Sequence, residues 1–234
     1  MTQLEDDRKR VERRITSACQ QAGRERDEVQ VLAVSKTRGT AEIRALHALG
    51  QRRFGENYVQ EFVGKHDALT DLDPPVEWHF IGALQTNKTR PVAERAAWVH
   101  GIDRLKIAER LSRQRPEAMA PLQVCLQVDL SGEPGKGGVQ PPEAGRLAAS
   151  VARLPNLALR GLMAIPAPAQ GLAEQRRPLA RLRELRDALN AQGLELDTLS
   201  MGMSDDLEAA ILEGSTLVRI GTALFGPRRP KARQ

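Results

Sequence analysis

Eight times along this 234-residue chain, a short apolar run is followed by a helical pattern or a helical turn. The strand candidates are 29–35, 52–55, 77–82, 97–101, 122–130, 157–164, 195–201 and 216–220. Alternating β and α units imply a parallel sheet, because parallel neighbours need a crossover long enough to hold a helix. Eight such units in one chain of this length predict a closed (β/α)8 TIM barrel, an α/β fold that fills about 200–250 residues alone. We therefore expect a single barrel domain over 1–234. A doubly wound open sheet would carry a glycine fingerprint at its first strand, and "SKTRGT" is not GxGxxG. Residues 4–22 form an extra N-terminal helix, within a leading segment 1–25, with Leu4, Val11, Ile15 and Ala18 on one side. Later helices carry Ile43 and Leu46; then Leu105, Ala108 and Leu111 behind Asp103 as N-cap; then Leu179, Leu182, Leu185 and Leu189, with Gly193 as the stop. Residues 227–234 are a basic tail, expected to be flexible.

Composition removes several function classes. The N-terminus lacks the apolar core of a secretion signal, and no run approaches the ~18 apolar residues of a membrane span. Cys19 and Cys125 have no CxxC partner, which fits buried thiols in a reducing cytoplasm. The net charge of +5 invites a nucleic-acid reading, but only 3% of residues are aromatic, so stacking platforms are scarce. Charges also alternate in sign, as in "RLRELRD", the pattern of a solvated helix face. His47, His66, His79 and His100 lack metal-ligand spacing; His47 and His66 read as surface residues on helices, and His79 as a satisfied core histidine.

In a barrel, chemistry sits where the strands end. The first strand ends in "VSK". If it runs regularly, Leu32, Val34 and Lys36 share a face, and desolvation there would lower the lysine pKa and make it a nucleophile. The bland alternative is a strand-end lysine that snorkels. The last strand holds Arg219, a permanent charge that needs an acceptor, either a ligand or a core acid. Gly221 and Thr222 follow, opening a short helix in "TALFG"; barrels often bind phosphate after strands seven and eight. In "SMGMSDD", Ser204 is a candidate N-cap, and Ser200 and Ser204 are candidate phosphate contacts, while Met201 and Met203 read as packing. "SGEPGKGG" is not a Walker loop, since Lys136 is followed by Gly137; it offers only Lys136 and Glu133. A cofactor with an aldehyde at one end and a phosphate at the other would join Lys36 to the last loops, which describes pyridoxal 5′-phosphate (PLP).

Taken in order, "AVSKT", "RFGENYVQE", "WHFIGALQTNK", "LRGLMAIP" and "LSMGMSDDLEAAILEGSTLVRIGTALFG" resemble the YggS/PROSC family of pyridoxal phosphate homeostasis proteins, from about residue 30 to 227. That family is similar to the barrel of alanine racemase. The resemblance implies a cytoplasmic, monomeric PLP-binding barrel without an established activity. It implies a Schiff base on Lys36, Asn57 lining the cofactor, phosphate contacts from Ser200, Ser204, Gly221 and Thr222, and Arg219 facing the pyridine nitrogen. Arg38 stands where relatives often have lysine. PLP is the expected partner, with apo PLP-dependent enzymes as candidate recipients. A fold-type III racemase is the alternative, with Tyr58 or Lys136 as second base. The expectation is against it, because the chain stops shortly after the eighth strand and so leaves no room for a racemase's second domain.

Overall fold

The computed structural model describes residues 2–131 and 137–227. Eight parallel strands close into a barrel in sequence order. They are β1 (Gln30–Val34), β2 (Arg53–Glu56), β3 (Glu77–Phe80), β4 (Trp98–Ile102), β5 (Leu122–Gln127), β6 (Leu157–Met163), β7 (Thr198–Ser200) and β8 (Leu217–Ile220). The helices are α1 (Gln3–Gln21), α2 (Thr40–Ala48), α3 (Val59–Ala68), α4 (Thr89–Ala93), α5 (Leu105–Gln114), α6 (Pro141–Val151), α7 (Leu172–Asn190), α8 (Leu207–Leu212) and α9 (Thr222–Phe225). β8 pairs with β1 along Gln30–Leu217 to Ala33–Ile220, so the first and last strands are neighbours. Each expected strand forms, as does the N-terminal helix.

α1 is held at its start by a capping box, in which Thr2 and Glu5 satisfy each other's backbone N–H. It buries Val11, Ile15, Ala18 and Cys19. Arg14 pairs with Glu208 of α8 at 2.7 Å and donates to the Ser204 carbonyl at 2.9 Å. The helix thereby packs over the closing units of the barrel.

Strand residues divide between two layers, as the two-residue period requires. Outward residues such as Ala33, Phe54, Phe80, Val124 and Leu126 join the helices in the main apolar core. Inside the barrel the apolar material is sparse: Leu32, Ile81 and Leu217 form one small cluster, and Trp98, Cys125 and Met163 another. Polar residues fill much of the rest. His79, His100 and Ser200 are fully buried, and Arg219 nearly so. Burial pushes the Cys125 thiol up to about 12, so it is inert as a nucleophile near neutral pH.

Some local expectations are corrected. Asp103 does not cap α5; Arg104 is the N-cap, and Leu105 is exposed while Ala108 and Leu111 are buried. Asp206, not Ser204, precedes α8. His47 is buried rather than superficial, because its Nε2 bonds the Pro74 carbonyl at 2.7 Å. Met203 is exposed, unlike Met201. The tail from residue 228 onward, Glu133 and Lys136 lie outside the described residues.

Gly161 marks the tightest strand contact: a Cβ there would lie 1.8 Å from the Thr198 carbonyl oxygen of β7. Backbone cannot yield as a flexible side chain does. Gly161→Ala is expected to cost about 1–3 kcal/mol, read as a lower urea midpoint with an unchanged slope.

Candidate functional site

The site is built from the ends of β1, β2, β7 and β8. β1 stops at Val34, earlier than a regular run to Lys36 would need. Ser35 is buried and its hydroxyl donates to Glu56 Oε1 at 2.6 Å. The chain then turns: the Arg38 N–H donates to the Ser35 carbonyl at 3.0 Å, and Thr37 takes φ 66°. One positive φ at the third position is the pattern of a type II turn. Half-buried Lys36 occupies the second position. A β-branched residue in the left-handed region is an outlier, with a strain of about 1–2 kcal/mol.

Beneath that turn is an ionic cluster that sequence reasoning missed. Glu56, at the end of β2, is wholly buried. Desolvation pushes its carboxyl up, against the pull of Lys65 and Ser35. Lys65 Nζ donates to Glu56 Oε1 at 2.7 Å, to the Ser35 carbonyl at 2.8 Å and to Glu61 Oε2 at 3.1 Å. Those three acceptors match its three N–H bonds. Glu61 Oε2 also accepts the Thr37 N–H at 2.8 Å. The i,i+4 spacing of Glu61 and Lys65 was a readable signal, but it is also that of an ordinary solvated helix pair.

Asn57 follows β2. Its Oδ1 is buried and has no hydrogen-bond partner among the described residues. Gly82 lets the chain after β3 lie against the Asn57 backbone, where a Cβ would come 2.1 Å from its carbonyl oxygen.

β7 and β8 bring Ser200 and Arg219 together. Among the described residues, no carboxylate forms an ion pair with Arg219. Its Nη1 donates to the Ser200 carbonyl and, at 2.9 Å, to Ser200 Oγ; its Nη2 donates to the Ala164 carbonyl at 2.9 Å. Those bonds use three of five donors. Nε and the second Nη2 hydrogen have no partner among the described residues. Burial pushes Arg219 down to about 10, so it stays charged at neutral pH. Ser200 is fully buried, and its hydroxyl is engaged by Arg219 and His100. Ser204 Oγ accepts the Ala223 N–H at 3.3 Å and ties the loop after β7 to α9. A Cβ on Gly221 would meet only Val34 of β1, at ordinary distances of 3.5 Å and more. The protein's own packing therefore does not demand glycine at that point. Thr222 opens α9, where its N–H has no partner within the helix. Arg38 closes the rim: it pairs with Glu42 at 3.3 Å, lies over the Phe225 ring and donates to the Gly226 and Pro227 carbonyls.

A second missed feature runs inward from Arg219. Ser200 Oγ lies 2.7 Å from His100 Nδ1, His100 Nε2 lies 2.9 Å from His79 Nδ1, and His79 Nε2 lies 2.9 Å from Glu77 Oε1. Each partner fixes the next. Ser200 accepts from the guanidinium, so its proton goes to His100 Nδ1. Nε2–H of His100 then donates to His79, and Nε2–H of His79 to the Glu77 carboxylate. Both histidines are neutral: burial depresses His79 and holds His100 well below the usual imidazole range, while the bond from His79 lowers Glu77. Protons therefore favour the unfolded chain at these positions. Stability is retained above about pH 6.5 and falls on acidification by up to about 1.4 kcal/mol per pH unit per histidine. Nitrogen NMR is expected to show neutral Nε2–H tautomers at both residues at and above neutral pH. An imidazolium or Nδ1–H signal from either would contradict the relay.

No helix among the described residues is long and apolar enough to cross a membrane. Residues 7–229 match the family model "Alanine racemase, N-terminal domain". The chain is 58% identical over 228 residues to a pyridoxal phosphate homeostasis protein of Pseudomonas aeruginosa, covering 97% of each chain. Among solved structures it is similar to PipY of Synechococcus elongatus with PLP bound, at 39% identity and TM-score 0.82, covering 92% of this chain and 100% of that one. The fold is shared with alanine racemase of Corynebacterium glutamicum, at 19% identity and TM-score 0.69, over 93% of this chain and 61% of the racemase. The chain belongs to the alanine racemase N-terminal domain family, within its group of pyridoxal phosphate homeostasis proteins.

Proposed function

We propose that this chain binds PLP as a Schiff base on Lys36 and serves B6 vitamer homeostasis by holding the cofactor and releasing it to apo enzymes. The observation that carries the reading is the buried, charged Arg219 with donors to spare, on the strand next to the one that ends in the Lys36 turn. The unpartnered Asn57 Oδ1 and the unforced glycine at 221 agree with a ligand at this place. PLP supplies an aldehyde carbon that accepts an amine and a pyridine ring that draws electrons from it. Lys36 would hold that carbon by a C=N bond, formed from the neutral amine with loss of water. Arg219 would donate to the pyridine nitrogen, leaving it unprotonated and the ring a weak electron sink. Gly221, Thr222 and the turn fixed by Ser204 would receive the phosphate. Ser200 acts behind Arg219 rather than on the phosphate.

Holding rather than turnover fits the side chains at hand. Racemisation needs a base on each face of the reacting carbon. Tyr58, the chain's one tyrosine, is 56% exposed at the start of α3. The reading includes a cytoplasmic monomer in which amino and keto acid balance changes only through the B6 pool.

Borohydride treatment after incubation with PLP is expected to place a pyridoxyl group on the Lys36 peptide, and Lys36→Ala to abolish it. An adduct confined to another lysine, or none in the wild-type chain, overturns the reading.

A further inference from the structure

The ionic cluster under the Lys36 turn does more than neutralise buried charge. We propose that Glu61 and Lys65, anchored on Glu56, are positioning residues that select the turn conformation presenting Lys36. The inference rests on Lys36 being the PLP-binding amine.

The argument turns on the peptide between Lys36 and Thr37. Type I and type II turns differ by a flip of that central peptide, which reverses its N–H and its carbonyl. A threonine at the third position prefers type I, where φ is negative. The structure has φ 66° at Thr37 instead. The Thr37 N–H then points at Glu61 Oε2, 2.8 Å away. In the flipped turn that N–H would face the other way and the carboxylate would lose this backbone donor. Glu61 is therefore an acceptor specific to one of the two turns. Lys65 fixes both fixed points of the device: it holds Glu61 at 3.1 Å and the Ser35 carbonyl, the acceptor of the turn's own hydrogen bond, at 2.8 Å. Glu56 at 2.7 Å keeps the Lys65 ammonium in place. The flip changes ψ of Lys36 by roughly 150°, so it changes the path of the backbone at the amine-bearing residue. The clamp holds a strained turn that places Lys36, and strain of this kind persists only where surrounding contacts over-determine it.

Removing Lys65 would strand the buried Glu56 and risk unfolding. The test therefore uses Glu61, whose side chain is 35% exposed. Glu61→Ala is expected to weaken PLP binding roughly tenfold, the worth of one charge-assisted hydrogen bond. The readouts are the visible absorption of the imine and the borohydride yield at Lys36. In the ligand-free protein the same change is expected to speed hydrogen exchange at the Thr37 amide. Glu61→Gln keeps an acceptor oxygen and is expected to retain most of the binding. Adding Thr37→Gly to Glu61→Ala is expected to recover binding, because glycine takes positive φ without strain. A purely structural or purely electrostatic role for Glu61 predicts no such rescue. Wild-type affinity in Glu61→Ala, or loss without rescue by Thr37→Gly, overturns the clamp. Absence of a Lys36 adduct in the wild-type chain instead overturns the functional reading, and Thr37 amide exchange then judges the clamp alone.

Discussion

A guanidinium cannot shed its charge, and this barrel has one inside. Much of the interior follows from Arg219. The charge needs acceptors, and no carboxylate among the described residues is in contact with it, so carbonyls of residues 164 and 200 and the Ser200 hydroxyl serve. The hydroxyl then needs an acceptor for its own proton, which calls for a histidine in one tautomer, then another, then a carboxylate. A single demand at β8 thus propagates through β7, β4 and β3. It replaces the branched apolar layers common in such barrels with a polarised chain.

A buried polar chain is stable only when each member is satisfied. The cluster at Glu56 and Lys65 meets that rule only in part: the Lys65 ammonium is fully matched, while Glu56 Oε2 is buried with no hydrogen-bond partner among the described residues. There backbone as well as side chains take part, through the Ser35 carbonyl and the Thr37 N–H. The two networks flank the candidate cofactor place from below and from the side. The polar atoms left unmatched in its neighbourhood among the described residues include Glu56 Oε2, Asn57 Oδ1 and part of Arg219.

The fold was legible because its signal is repeated eight times. An error of a residue or two at any one strand could not change the count. The placement of Lys36, Asn57, Arg219, Gly221 and Thr222 at or just after strand ends was legible from the motifs that hold them. What was not legible depended on which residues meet across the barrel. His79 and His100 lie 21 apart in sequence and looked like separate core residues; only the parallel register of β3 on β4 joins them. Ser200 and Ser204 had similar neighbours in sequence, yet one points into the barrel and the other caps an amide of α9. Thr37 gave no warning at all, because a threonine at positive φ contradicts its own propensity.

Arg38 grips two carbonyls, of Gly226 and Pro227, from within the turn that carries Lys36. The chain at residues 226 and 227 is therefore rooted at the rim of the candidate site, not at the far end of the barrel. Whatever is fused to that end of the chain is tethered beside the mouth. A purification tag placed there shares its anchorage with the Lys36 turn, whereas one on α1 starts from a helix that packs against α8 and α9.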